Sequence, residues 1–231
     1  MKVKEHLEEL KKELFYLFIP LVVSFIFFFI LSKKMILFLL NYYEIPLRNV
    51  VSLTPLESIQ TSLSIAGTLT LLFIIPLTLN GMFRFSKEVI GEKIYKKSKG
   101  LILKSYLLGI FGLFMGVFVF SKLILNNLLT SYTITNASWS ILSVFSLIIK
   151  LGIAMAIGVQ LILIIPSLIN IGLVKKDSMK SLRPIVLVMV LIISAIVTPP
   201  DVISMFLMSL PIYVSYEAGM LLSKLQEVKQ I

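Results

Sequence analysis

Few side chains of this chain could do chemistry, and three of them interrupt long apolar tracts. Lys150, Gln160 and Glu217 stand among residues that are otherwise almost all apolar or small. A polar group inside hydrocarbon is costly, so each one indicates either a function or a local explanation. The local explanations are a helix-packing contact for Gln160, extension to the outer interface for Lys150, and a position near the cytoplasmic interface for Glu217.

Acidic side chains collect near the N-terminus. Leu7, Leu10 and Leu14 share one face of a predicted amphipathic helix. Acids follow the other face, namely Glu5, Glu8, Glu9 and Glu13. An exposed carboxylate there could accept two parallel hydrogen bonds from a guanidinium ligand. A solvated face with local ion pairs is the simpler interpretation of the same pattern.

No catalytic or metal-binding motif is recognisable. The sequence has no Gly-rich phosphate loop, no nucleophile elbow and no pair of acids at metal-binding spacing within a span. It has no Cys and one His, so neither a disulfide nor a Cys-based or His-based metal site is expected. We therefore predict that the protein is not an enzyme and has no cofactor or metal.

The composition predicts a polytopic membrane protein. Of the 231 residues, 58% are hydrophobic and 15% charged, too few charges for the surface of a soluble globule. Six apolar runs predict six helices in a single membrane domain, 1–231. The runs are 15–31, 61–83, 101–123, 141–173, 185–197 and 202–222.

The basic residues predict the orientation. Seventeen Lys and Arg lie in the two termini, the second-to-third connection and the fourth-to-fifth connection, against four in the opposite connections. This asymmetry places both termini in the cytoplasm. The net charge of +10 is then mainly a topology signal, and no nucleic-acid partner is expected.

A proline pair separates the last two runs. Proline cannot continue a helix, so the chain is predicted to reverse at Thr198-Pro199-Pro200-Asp201. The run before it, 185–197, has thirteen residues and would rise only about 20 Å as a helix, against a hydrocarbon core of about 30 Å. The fifth span is therefore predicted to be too short for an ordinary bilayer.

The first outer connection, 32–60, is long enough to form a structured cap. Thr54, Pro55 and Glu57 have the types and spacing of the N-cap, first and third residues of a helix. We expect a short helix lying along the outer surface.

Several motifs, in order along the chain, resemble one family. The chain resembles TatC, the multispan receptor of the twin-arginine protein translocase, from end to end. The most specific element is Thr198-Pro199-Pro200-Asp201-Val202-Ile203-Ser204, followed by Pro211 and Tyr216-Glu217. The supporting motifs are His6-Leu7-Glu8-Glu9-Leu10, Leu53-Thr54-Pro55-Leu56-Glu57 and Arg183-Pro184.

The resemblance implies a fold and a function. The fold would be an all-α, glove-shaped bundle of six helices in the cell membrane, with an outer cap loop and two short final spans. The protein would bind Arg-Arg signal peptides of folded precursors on the cytoplasmic side. It would also recruit small single-span subunits of the TatA/TatB type, assemble as a homo-oligomer among membrane lipid, and use the proton-motive force. Family members are not known as enzymes.

The resemblance also implies signal-peptide ligands. Glu9 corresponds to the family's N-terminal glutamate that helps to bind the twin arginines. A second glutamate normally follows a stretch of Trp, Pro and Tyr in the first cytoplasmic loop. This loop lacks the Trp and the Pro, so Glu92 is the first candidate for that position and Glu88 the second.

Gln160 stands where the family usually has a membrane-embedded Glu. Either its amide hydrogen-bonds a polar side chain of a partner helix, or another residue has taken over the role. The alternative from another class is a small secondary transporter or channel, in which Gln160, Lys150 and Glu217 would line an aqueous path. The sequence shows no convincing internal repeat, which counts against a transporter.

Overall fold

Helices make up most of the computed structural model, which describes residues 2–46, 50–90, 92–132, 139–170 and 172–228, and the side chains of 18–46, 50–78, 100–128, 139–170 and 172–224. The elements are α1 (Lys2–Tyr42), β1 (Val50–Val51), α2 (Pro55–Ile90), α3 (Glu92–Phe114), a π-helical segment (Met115–Phe120), α4 (Ser121–Tyr132), β2 (Trp139–Ser140), α5 (Ile141–Gly158), α6 (Leu161–Asn170), α7 (Lys176–Ser181), α8 (Arg183–Val197) and α9 (Val202–Val228).

The described residues contain five helical stretches that are long and apolar enough to cross a membrane, and one shorter apolar helix. The five are Phe18–Tyr42, Pro55–Thr78, Gly100–Leu128, Ile141–Asn170 and Val202–Lys224, and the shorter one is Arg183–Val197. The predicted all-α membrane fold class is confirmed. The cytoplasmic location of both termini stays a prediction.

The first of two compact units comprises Met1–Tyr106 and Ser138–Ser146. In this unit α1 packs along α2, and the rings of Phe28 and Phe73 meet edge to face with centroids 6.4 Å apart. The strands β1 and β2 form a parallel pair that joins Val50 to Trp139. Beside this pair, the Ser140 hydroxyl donates to the Glu57 carboxylate in the first turn of α2 at 3.2 Å, although the two residues are 83 positions apart in sequence.

The helix α1 ends at Tyr42, well beyond the predicted end of the first span at residue 31. Lys33 and Lys34 look like the end of an apolar run, but six apolar residues follow them at 35–40. Lysine stems lie along apolar surface while the ammonium groups reach polar surroundings, so the pair does not stop the helix. Leu39 and Leu40 are buried, which holds this last part of α1 in place.

The expectation of a separate short helix on the outer surface is wrong. Pro55 is the first residue of α2, which continues without interruption to Ile90. The helix-start motif was correctly located, but nothing after Glu57 ends the helix, because the mostly polar residues 57–62 are followed directly by the apolar second span. The first outer connection is correspondingly shorter than the predicted 32–60.

The second unit comprises Leu107–Ala137 and Leu147–Ile231. In this unit α6 and α8 both pack against α9. Ile165, Tyr216 and Met220 form a buried cluster between α6 and α9. The carbonyl of Leu161 lies so close to Gly219 that a β-carbon there would come within 2.6 Å of it, so α6 and α9 meet backbone to backbone.

Glycines bring the third and fourth spans equally close. A β-carbon on Gly112 would lie 2.7 Å from the Met155 carbonyl oxygen, and one on Gly116 would lie 2.6 Å from that of Leu151. Lipid tails are as apolar as the helices, so close van der Waals packing of small residues is what holds such helices together. The π-helical segment lies at this contact, and the Ser121 hydroxyl donates to the Gly116 carbonyl at 2.8 Å.

The fourth span is not one continuous helix. It was predicted as 141–173, and the structure divides it into α5 and α6 with a break at residues 159 and 160. The Gln160 N–H donates to the Ile157 carbonyl at 3.1 Å, three residues back instead of four. The break therefore coincides with the polar residue that the sequence singles out.

The last two spans differ in length. The helix α8 has 15 residues and rises about 22 Å, which confirms a short fifth span. The resemblance implied a short sixth span as well, but α9 has an apolar stretch of 23 residues, Val202–Lys224, which is long enough to cross. Apolar residues continue from the hairpin to Leu222, and Pro211 does not end the helix.

The glycine contact predicts the effect of adding one methyl group. Gly116→Ala should lower the free energy of unfolding by about 1 to 3 kcal/mol, because the new β-carbon meets the backbone of Leu151 and Gly152, which cannot move aside cheaply. Gly100→Ala, in the same span, is the control, since nothing lies within 4 Å of its β-carbon. Unfolding in mixed SDS micelles measures both. Equal stability of the two variants would contradict this packing.

Candidate functional site

The structure places the predicted signal-peptide ligands on helices. Glu9 lies in α1, Glu88 lies near the end of α2, and Glu92 is the first residue of α3. Their side chains lie outside the described part of the chain. The helix α1 is continuous from Lys2, so Glu9 is separated from the start of the apolar stretch at Phe18 by about 13 Å of unbroken helix.

Two of the sequence motifs meet in an ion pair. Arg183 Nη2 donates to Glu217 Oε2 at 2.7 Å, and this contact joins the start of α8 to α9. The other carboxylate oxygen, Oε1, accepts a hydrogen bond from the Tyr213 hydroxyl at 3.2 Å. The side chains of Arg183 and Glu217 remain 45% and 30% exposed. Glu217 therefore binds within its own chain and does not simply face the interface.

A second hydroxyl supports the same corner. Tyr216, the neighbour of Glu217 in the motif, donates to the backbone carbonyl of Met179 in α7. The rings of Tyr213 and Tyr216 stack with centroids 6.0 Å apart. The motifs Arg183-Pro184 and Tyr216-Glu217 thus form one polar cluster that fixes the connection between α6 and α8 onto α9.

The hairpin motif has a clear structural role. The helix α8 ends at Val197 and α9 begins at Val202, so the reversal lies where the proline pair predicts it. Asp201 Oδ1 accepts a hydrogen bond from the Ser204 N–H at 2.7 Å, which caps the N-terminus of α9. Thr198 stabilises the C-terminal end of α8, since its hydroxyl donates to the Ser194 carbonyl at 2.8 Å. The capping role of Asp201 was missed, although an Asp directly before an apolar helix is its usual signal.

Glu57 binds residues of both the first and the second outer connection. Its Oε2 accepts hydrogen bonds from the Leu53 N–H at 3.0 Å and from the Ser140 hydroxyl at 3.2 Å. The first contact caps α2 much as the motif predicts, although the donor is one residue earlier than in a capping box. The second contact, and the strand pair beside it, involve a partner that is far away in sequence, so the motif alone gave no sign of them.

Gln160 lies against the third span. A β-carbon on Gly109 would come within 2.9 Å of Gln160 Nε2, so the amide occupies the space that the missing side chain leaves. The spacing of Gly109, Gly112 and Gly116 was the sequence signal for this face of the third span, because small residues three and four apart lie on one side of a helix.

The three polar residues of the transporter alternative do not lie together. Lys150 lines an apolar groove, Gln160 contacts Gly109, and Glu217 pairs with Arg183. Neither Gln160 nor Glu217 lines the groove that contains Lys150. Among the residues that the structure describes, no group of three or more His, Asp or Glu side chains could hold a metal ion.

The fold and these polar contacts define the class of protein. It is a multispan helical membrane protein whose polar side chains bind one another at the ends of helices and where helices pack. The family profile described as "TatC: Sec-independent protein translocase protein (TatC)" matches residues 5–211. The chain belongs to this family of protein translocase subunits. Its function therefore belongs to protein transport by the Tat system, not to classical enzyme catalysis.

Relatives and solved structures agree with this assignment. The chain is 27% identical to the Sec-independent protein translocase protein TatC of Helicobacter pylori J99, over 96% of this chain and 89% of the relative. It is 24% identical to TatCy of Bacillus subtilis 168, over 97% and 89%. The solved structure titled "Crystal Structure of Twin Arginine Translocase Receptor- TatC in DDM" matches with a TM-score of 0.78 and 24% identity, over 94% of this chain and 99% of that one.

A double-mutant cycle can measure how much the ion pair between Arg183 and Glu217 contributes to stability. Arg183→Gln, Glu217→Gln and the double variant should give a coupling free energy of about 0.5 to 1 kcal/mol, because both side chains are partly exposed. Unfolding in mixed SDS micelles measures it.

Asp177 and Lys180 provide the control cycle. This pair is 2.8 Å apart, and its hydrogen bond and charge hold the pKa of Asp177 below its usual value, but the Asp177 side chain is 91% exposed. We expect no measurable coupling there. Equal coupling in the two cycles would contradict a specific role for Arg183 and Glu217.

Proposed function

We propose that this protein is the signal-peptide receptor of a twin-arginine translocation system. It binds the Arg-Arg signal of folded precursors on the cytoplasmic side, recruits small single-span subunits of the TatA/TatB type, and supports export driven by the proton-motive force. The observation that carries this proposal is the family match over residues 5–211, together with a fold shared with a protein titled as the twin-arginine translocase receptor.

The distribution of basic residues supports binding of the signal peptide on the cytoplasmic side. Basic residues are concentrated in the termini and in the second-to-third and fourth-to-fifth connections, and this concentration supports a cytoplasmic location for these segments. Glu9, Glu88 and Glu92 all belong to these segments. In this proposal the chain is one six-span domain with both termini cytoplasmic, and several copies assemble in the complex.

Carboxylates are suited to distinguish arginine from lysine. A guanidinium group makes two parallel hydrogen bonds to a carboxylate, whereas an ammonium group is a point charge without that geometry. Glu9 accepts one arginine of the signal and Glu92 accepts the other, with Glu88 as the alternative in the same connection. Because Glu9 is built on a helix that continues into the membrane, its distance from the membrane is fixed.

Peptide binding tests the receptor function. The detergent-purified protein should bind a fluorescent Arg-Arg signal peptide about tenfold or more tightly than the Lys-Lys version, because each lysine loses one of two parallel hydrogen bonds, each worth about 0.5 to 1.5 kcal/mol. Glu9→Gln and Glu92→Gln should each reduce the preference, with Glu88→Gln as the comparison within the loop. Fluorescence anisotropy gives the dissociation constants.

Asp177→Asn is the matched control for charge. It removes one exposed acid from a segment with the same predicted orientation, and its carboxylate already pairs with Lys180. Its peptide affinity should equal that of the parent protein. Equal affinity for the two peptides in the parent protein, or an equal loss in Asp177→Asn, would count against the proposed receptor site.

Gln160 is proposed to recognise a polar side chain on a single-span subunit. Its amide lies at a helix break in the fourth span, where the backbone leaves the regular hydrogen-bond pattern. Gln160→Leu should reduce co-purification of the single-span subunit several-fold, whereas Gln160→Glu should retain it.

The control is Ser167→Ala, which removes a polar group from the same span. The Ser167 hydroxyl donates to the Leu163 carbonyl of its own helix at 2.6 Å, so its loss should leave partner binding unchanged. Unchanged co-purification with Gln160→Leu would remove this role from Gln160.

A further inference from the structure

An apolar groove with a single charged residue lies in the second unit. It is formed by α5, α6, α8 and α9 and has a volume of about 460 Å³. Its apolar wall includes Ile153, Ile157, Leu161, Ile164, Ile193 and Ile212. Lys150 is the one charged side chain in the lining.

Lys150 lies in the first half of the fourth span. It follows the start of α5 at Ile141 by about 13 Å of helix, and its side chain is exposed. No ion pair within the described ranges involves it. An ammonium group at such a position costs free energy unless an anion or the polar interface comes close to it.

The short fifth span brings the interface towards Lys150. Val197, the last residue of α8, lines the same groove as Lys150. With a rise of about 22 Å, α8 is shorter than the hydrocarbon core of about 30 Å, so the bilayer must thin or the headgroups must approach the end of this helix. A lipid phosphate at the hairpin end of α8 is therefore near the level of Lys150.

The dimensions of the groove indicate whether a helix or a hydrocarbon chain could occupy it. From Lys150 to Ile164 the wall extends about 21 Å, so a volume of about 460 Å³ is spread along a long and narrow groove. A helix with its side chains is about 10 to 12 Å wide and does not fit into this space. A single extended hydrocarbon chain does, and it is supplied by the surrounding membrane.

We propose that the groove is a binding site for one anionic phospholipid. An acyl chain lies along Ile153, Ile157 and Leu161, and the phosphate accepts hydrogen bonds from the Lys150 ammonium. The lipid fills the space beside the short helix α8 and supplies the counter-ion that the protein lacks there. This site does not depend on the proposed signal-peptide receptor function.

Lipid titration of the full chain in detergent, followed by native mass spectrometry, tests the headgroup contact. Phosphatidylglycerol should bind the first site about fivefold more tightly than phosphatidylcholine of the same chain length, as expected for one lysine facing an anionic headgroup. Lys150→Gln should abolish this preference and Lys150→Arg should retain it. Lys34→Gln, which removes an exposed lysine of α1 outside the groove, should leave the preference unchanged.

A second variant tests the acyl-chain contact. Ala154→Phe places a ring in the groove and should weaken the binding of both lipids at this site by a similar factor. Leu103→Phe enlarges an exposed apolar side chain outside the groove and should weaken neither. Monodisperse elution of each variant shows that it is folded.

Three results would overturn the proposal. They are equal affinity for the two lipids in the parent protein, an unchanged preference in Lys150→Gln, and unchanged lipid affinity in Ala154→Phe. If Lys150→Gln instead lowered co-purification of a single-span subunit while lipid binding stayed the same, the groove would belong to a partner helix.

Discussion

Hydrocarbon offers no hydrogen-bond partner to a polypeptide, and this constraint explains why helices dominate the chain and where they deviate. Several hydroxyl groups in the spans donate to carbonyls of their own helix, as Ser24 does to Leu21 and Ser215 to Pro211. The two departures from regular α-helix follow the same requirement. At the π-helical segment the Gly116 carbonyl accepts hydrogen bonds from both the backbone N–H and the hydroxyl of Ser121, and at Gln160 the backbone changes to a shorter hydrogen-bond interval.

In hydrocarbon there is also no hydrophobic force that drives helices together, so the strength of a helix contact depends on how closely the two backbones approach. Gly112, Gly116 and Gly219 permit approaches that a single β-carbon would block. Space remains where side chains do not fill the gap between helices, and the groove beside α8 is an example. In our proposal one bound lipid explains three features together. They are the short fifth span, a lysine with no ion pair among the described residues, and the apolar groove.

Ionic and capping contacts are placed at the ends of helices, where water and headgroups lower their cost. Arg183 with Glu217 fixes the entry to α8, Asp201 caps α9, and Glu57 joins the two outer connections. These contacts hold the membrane region in shape. In the proposed function the ligand-binding acids are Glu9 in the N-terminal part of α1 and Glu92 at the start of α3.

The sequence by itself determined the membrane class, the short fifth span, the reversal at Pro199-Pro200 and the start of α2, since each depends on local composition and on the backbone limits of proline. It also carried the motifs of the family to which the chain belongs. Only the tertiary structure decided that Arg183 binds Glu217, that Ser140 binds Glu57, and that Gln160 lies against Gly109. The partners in these contacts come from elements that are far apart in sequence, and local pattern contains no information about which elements meet. The end of α1 and the division of the fourth span were missed for the same reason, because packing and hydrogen bonding to neighbours, and not composition, set them.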